Sequence, residues 1–204
     1  MPIYRRSLLA LVGTAAISPG SAWADSDPNS PFAQRSIGSP KAPVTAIEYF
    51  SLTCTHCAHF ATVTMPQVKP ALVDTGKLQI IYKDFPLDSV ALMAAQVARS
   101  LPAAQYYPFI EALFASQDDW AFATGVDYKT ELYKYAALAG MDQGSFDAAL
   151  TNDKLKQFIM DGQQYAEKVY NIQATPTFII NGRVEPGAFE YDEFAAMVAK
   201  AAQA

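Results

Sequence analysis

An α/β fold interrupted by a helical insertion is what this sequence predicts, and three observations carry that reading. Runs rich in β-branched and aromatic residues stand at Val44–Phe50, at residues 77–85 and at Thr177–Ile180, and each reads as a buried strand. Between the second and third runs, about seventy residues repeat their apolar positions at helical spacing. A Cys54-Thr-His-Cys57 motif follows the first strand directly, where a helix is expected to begin. The order strand, helix, strand, helical block, strand pair, helix describes an α/β unit split in two.

The elements follow in order. Residues 1–24 have the layout of a cleavable export leader: Arg5 and Arg6 as the positive region, a short run of small apolar residues, and Ala22-Trp23-Ala24 as the cleavage site. The apolar run is too short to span a bilayer, and Pro19 and Gly20 interrupt it. The arginine pair leaves both the general and the twin-arginine export routes open. Residues 25–36, rich in Ser, Pro and Asp, read as a flexible lead-in. After the first strand, Cys57, Phe60 and Ala61 recur at helical spacing, and Pro66 should kink or interrupt that helix.

Pro86 ends the second strand, and from Ser89 the period is helical. Val90, Met93, Val97 and Leu101 mark one helix, and Tyr106, Phe109, Ile110, Leu113 and Phe114 another. A third fits residues 128–139, stopped by Gly140; a short one follows Ser145, and a long one runs over about residues 152–170. Asn181-Gly182 is a strong hairpin signal joining the last two strands, and residues 191–202 close the chain as a helix.

Removing residues 1–24 leaves 180 residues, enough for one domain carrying an insertion, with 13 basic and 20 acidic side chains. That net charge of −7, with no basic run, argues against nucleic acid or an anionic membrane as a partner.

Cys54 and Cys57 are the chain's two cysteines. As a staple the pair is poor. In the chain-entropy model a four-residue loop contributes roughly 2 kcal/mol, against nearly 5 for a hundred-residue loop. As a redox switch it is good, because the resolving thiol lies one helical turn from the attacked sulfur. A sulfur at a helix start meets unpaired N–H groups and the positive end of the helix dipole, which favour thiolate. Cys54 is therefore expected to be the acidic, attacking thiol and Cys57 the more buried resolver. Thr55 and His56 lie between them as candidate tuners of the sulfur, His56 adding charge when protonated. His59 reads as structural. A metal site is not expected, since one helix start cannot easily wrap Cys54, His56, Cys57 and His59 around an ion, and no cofactor is expected. Glu48, a carboxylate in an apolar strand, is read as a proton relay to Cys57, with a plain ion pair or an exposed edge position as the alternatives.

Ile37-Gly-Ser-Pro-Lys-Ala-Pro43, Ile47-Glu-Tyr-Phe-Ser51 and the cysteine motif together resemble the opening of DsbA-like thiol:disulfide oxidoreductases. Tyr82-Lys-Asp-Phe-Pro86 and Thr175-Pro-Thr-Phe-Ile-Ile-Asn-Gly182 are similar to later segments of the same family, the second to its cis-proline strand and hairpin. The resemblance runs collinearly over residues 37–202 and implies a thioredoxin fold interrupted by an inserted helical domain. Its first part would be 37–88, the insertion 89–165 and the second part 166–204. It also implies a cis bond before Pro176, leaving the Thr175 backbone to pair with an extended substrate. The implied setting is a bacterial periplasm, with reduced exported proteins as substrates, a membrane redox partner that resets the disulfide, and a monomer. Thr55 and Thr175 depart from the best-known oxidases, which carry proline and an aliphatic residue there. Redox strength is therefore not carried over, and an isomerase, a reductase or a metal- or peptide-binding relative stays open.

Overall fold

The computed structural model describes residues 27–203, so the expected leader lies outside the described residues. At its centre is a five-stranded sheet in the order β1-β3-β2-β4-β5: β1 (Arg35–Ile37), β2 (Val44–Phe50), β3 (Leu78–Asp84), β4 (Thr177–Ile180) and β5 (Arg183–Pro186). Strands β2 and β3 run parallel, with Glu48 opposite Tyr82, and β4 pairs antiparallel on the other side, with Glu48 opposite Phe178. The β4–β5 hairpin turns through Asn181 and Gly182, both at positive φ (44° and 82°), as a tight two-residue turn requires.

Helix α1 (Thr55–His59) starts at the cysteine motif and continues through a π-helical stretch, Phe60–Thr64, into α2 (Met65–Val68) and a second π-helical stretch, Lys69–Val73. Pro66 stands at the start of α2, directly after the first widening, and Pro70 at the start of the second widening itself. Proline offers no N–H to the carbonyl one turn back, and the chain answers with bonds five residues apart, such as Asp74 N–H to Lys69 O at 2.9 Å. The expected interruption at Pro66 is thus a change of helical pitch. Phe60 fixes this helix to the sheet. Its ring meets Phe178 of β4 at 4.7 Å and Phe194 of the closing helix at 5.2 Å between centroids, and all three are fully buried. Truncating Phe60 to Ala would cost about 3–5 kcal/mol.

The helical block holds α3 (Ser89–Ser100), α4 (Ala103–Ala115), the one-turn α5 (Gln117–Trp120), α6 (Tyr128–Leu138) and α7 (Gln143–Leu150). The long α8 (Asp153–Tyr170) leads back to β4, and α9 (Tyr191–Ala201) packs beneath the hairpin. Helix α8 is unbroken across position 165, so the expected end of the insertion falls inside one helix. The chain is a thioredoxin fold carrying a helical insertion.

The segment read as a flexible lead-in is folded over its described part. Arg35, 1% exposed, donates to the carbonyls of Pro28 (2.7 Å) and Arg99 (2.7 Å), and Arg99 donates to Pro31 and Ala33 while pairing with Asp84. These two buried guanidiniums tie residues 28–35 to β3 and α3. Their chain carbonyl partners satisfy donors that burial would otherwise leave unpaid.

Candidate active site

Helix α1 begins at Cys54 because Cys54 takes the capping position, with extended backbone (φ −87°, ψ 119°) and its sulfur facing the first turn. Cys54 Sγ accepts the Cys57 N–H at 3.4 Å and donates its thiol hydrogen to the Thr175 carbonyl at 3.2 Å. The Thr175–Pro176 peptide bond is cis, and this strand end crosses directly over the cysteine pair. Both cysteines are unbonded thiols here, and they are unequal: Cys54 is 7% exposed, Cys57 0%.

Their acidities separate in the same sense. The Cys54 thiol is lowered from 9.0 to about 5, chiefly by hydrogen bonding from the Cys57 side chain. The Thr175 side chain and the N–H groups of Cys57 and His56 add to this, and burial of the sulfur opposes it. Cys57 is pushed well above its ordinary value, first by burial and then by the Cys54 sulfur. The nearby Thr175 hydroxyl is buried and holds no hydrogen bond while Cys54 is a thiol. It is a donor in waiting, since an ionised sulfur no longer donates to the carbonyl and needs donors of its own.

Glu48 lies in the central strand β2 and is 3% exposed, which removes the exposed-edge reading, and no ion pair among the described residues reaches it. Burial, and then the Cys54 sulfur, raise its carboxyl from 4.5 to about 8. It borders a cavity of about 10 Å³, shared with Phe60, Tyr82, Tyr107 and Glu111, roughly the room one water needs.

A family model described as thioredoxin matches residues 32–200. The crystal structure of Wolbachia pipientis alpha-DsbA1 is 32% identical, aligns over 83% of this chain and 91% of that one, and superposes with a TM-score of 0.78. The chain belongs to the thioredoxin family, on its DsbA-like branch. BdbD from Bacillus subtilis shares the fold at 22% identity, with a TM-score of 0.73 over 84% of this chain and 94% of that one. A candidate protein-disulfide oxidoreductase of Rickettsia conorii is 28% identical over 81% of this chain. The chain spans 59% of the length of that relative.

In this DsbA-like chain the structure gathers Cys54, Cys57, Thr175, Pro176 and Glu48 around one helix start. Thr55 and His56 are exposed there, and neither side chain holds a hydrogen bond among the described residues; His56 reaches the sulfur's environment through its backbone N–H. His59 points away, its Nε2 at 2.9 Å from Glu190 Oε1 at the head of α9. Among the described residues, no three His, Cys, Asp or Glu side chains gather as a metal site.

Sequence reasoning missed the residues that hold the loop before Cys54. Ser51 Oγ accepts the Leu87 N–H at 3.3 Å, and Thr53 Oγ1 donates to Asp88 Oδ2 at 2.7 Å. Asp88 also caps α3, and that was the available signal: an Asp immediately before a helical run. Gln117 of α5, 6% exposed, donates to the carbonyls of Leu52 at 2.8 Å and Cys54 at 3.1 Å, and nothing in its local sequence announces this.

Proposed function

We propose that this protein is a periplasmic thiol:disulfide oxidoreductase that works through the Cys54–Cys57 pair and most readily donates its disulfide to exported proteins. The observation that carries the reading is the inequality of the two sulfurs, one acidic and slightly open to solvent, the other wholly buried and held protonated. A substrate thiolate attacks Cys54 Sγ of the disulfide form. The new bond joins substrate to Cys54, the bond to Cys57 breaks, and the departing Cys57 sulfur takes a proton. Glu48, buried beneath the pair and still largely protonated at neutral pH, is the proposed source. A second substrate thiolate then attacks the substrate sulfur and expels Cys54 as thiolate. The substrate loses two electrons and the pair gains them.

The low thiol pKa favours donation, because the better leaving group is the sulfur released last. Thr175 and Pro176 are the substrate-facing strand end, and Thr55 and His56 flank the attacked sulfur as tuners. On this reading residues 37–88 and 166–204 make the redox unit and 89–165 the insertion. The protein acts as a monomer, and a membrane redox partner restores the disulfide. Equilibration against glutathione tests the direction. A potential near DsbA's value of about −120 mV supports an oxidase, and one near thioredoxin's, about −270 mV, makes the protein a reductase instead.

A further inference from the structure

We propose that Gln117 is the positioning residue through which the helical insertion sets the aim and acidity of Cys54. The proposal rests on Cys54 being the acidic, attacking sulfur. Gln117 comes from a one-turn helix, 63 positions from Cys54 in sequence, and its carboxamide ends on the backbone of the redox loop. Both hydrogens of Nε2 are used, one on the Leu52 carbonyl at 2.8 Å and one on the Cys54 carbonyl at 3.1 Å. The helix that carries the side chain is itself held. Trp120, 0% exposed, donates from Nε1 to Leu113 O at 2.8 Å, and the Gln117 backbone carbonyl accepts the N–H groups of Ala121 and Phe122. The donor is therefore delivered by a packed element rather than a loose side chain.

Two consequences follow for the sulfur. The Cys54 carbonyl already accepts the Ala58 N–H at 3.0 Å as the first bond of α1, so Gln117 occupies its second acceptor position and fixes the peptide that follows Cys54. That peptide sets where the Cys54 side chain stands relative to Cys57 N at 3.4 Å and Thr175 O at 3.2 Å. In addition, the amide hydrogens draw negative potential off two carbonyls beside a sulfur that must carry a negative charge. From outside, the same loop is held by the side chains of Ser51, Thr53 and Asp88, which bond to one another and to the Leu87 N–H and not to the Cys54 sulfur or carbonyl, while the Ser51 backbone carbonyl accepts the Cys54 N–H at 3.1 Å. Removing Gln117's donors therefore disturbs the sulfur while leaving the loop tethered.

The test is Gln117→Met, which keeps length and removes both donors, read by ultraviolet thiolate absorbance against pH and by melting of the reduced and disulfide forms. The Cys54 titration should move up by about one pH unit, a tenfold loss of thiolate on the acid side. The reduced form should lose more melting temperature than the disulfide form. A role in packing alone would lower both forms equally and leave the titration in place, and that result overturns the proposal. Should Gln117→Met fail to fold, Gln117→Asn carries the test, because its donors stand one methylene short and the same upward movement is expected. The unsubstituted protein separates the two levels. A Cys54 titrating in the ordinary thiol range there sinks the functional reading itself, whereas an acidic Cys54 unmoved by substitution sinks only the role of Gln117.

Discussion

Reducing the disulfide should change the protein's stability by an amount that depends on pH, and the sign should reverse within the accessible range. The Cys54 thiol falls from 9.0 to about 5 on folding. A depressed pKa stabilises the folded reduced form fully above pH 9, progressively less below it, and not at all below about pH 5. At pH 7 two of the four units remain in force, about 2.7 kcal/mol. The disulfide form has no thiolate, but it gains roughly 2 kcal/mol from closing a four-residue loop. The two terms cross at about pH 6.5. Above that the reduced protein is the more stable form, and below it the oxidised one. Glu48 works in the opposite direction, because a carboxyl raised from 4.5 to about 8 costs stability as pH rises between those values. Its larger cause, burial, acts in both forms and cancels in their difference; only the smaller Cys54 contribution trims the gain. The net change in the difference between pH 5 and pH 7 is then about 2 kcal/mol, or roughly 4–8 °C of melting temperature for a domain this size. Paired denaturant titrations of the two forms across this range measure it. A difference that stays flat with pH would refute the acidic thiol and the account of the site built on it.

Cys57→Ala should accumulate mixed disulfides between Cys54 and exported proteins, visible on non-reducing gels, while Cys54→Ala accumulates few; equal trapping would reverse the assignment of attacker and resolver. Glu48→Gln should stabilise the fold by about 3 kcal/mol at neutral pH, because a buried carboxyl no longer has to take up a proton, and the gain should vanish as pH falls below 4.5. The same variant should slow the step that protonates Cys57, followed by stopped-flow thiol exchange; an unchanged rate would leave Glu48 without a relay role. Thr175→Val should leave melting of the disulfide form within about 0.5 kcal/mol of the parent, since the lost hydroxyl is buried and unbonded, yet raise the Cys54 pKa and so lower the stability of the reduced form at neutral pH. A flat titration would confine Thr175 to its backbone carbonyl.

Much of this fold is legible in local pattern. Strand β2 matches its run of β-branched and aromatic residues end to end, and Asn181-Gly182 turns the hairpin as its left-handed preference dictates. The unequal acidity and burial of Cys54 and Cys57 were legible because a helix start differs electrostatically at its first and fourth positions. What was not legible depends on distant partners. Strand β1 sits in a stretch of Ser, Pro and Asp, and its order comes from Arg35 reaching the Arg99 carbonyl 64 positions away. The burial of Glu48 follows from β3 and β4 flanking it on both sides, and a strand's own alternation does not reveal which strand will be central. Helix α5 is four residues long, below any periodic signal, and so Gln117 stayed hidden.

The depth of Cys57 also bears on chemical wear. An acidic thiol that solvent can touch is the first group that peroxide oxidises, and a lone one proceeds through sulfenic to irreversible sulfinic acid. Here the sulfenic acid on Cys54 would form one turn from a thiol that oxidant in solution cannot reach directly. Condensation of the two expels water and yields the Cys54–Cys57 disulfide, which under the proposed function is the state that donates oxidising equivalents. A buried thiol one turn away would thus convert an injury to the Cys54 sulfur into a recharged site.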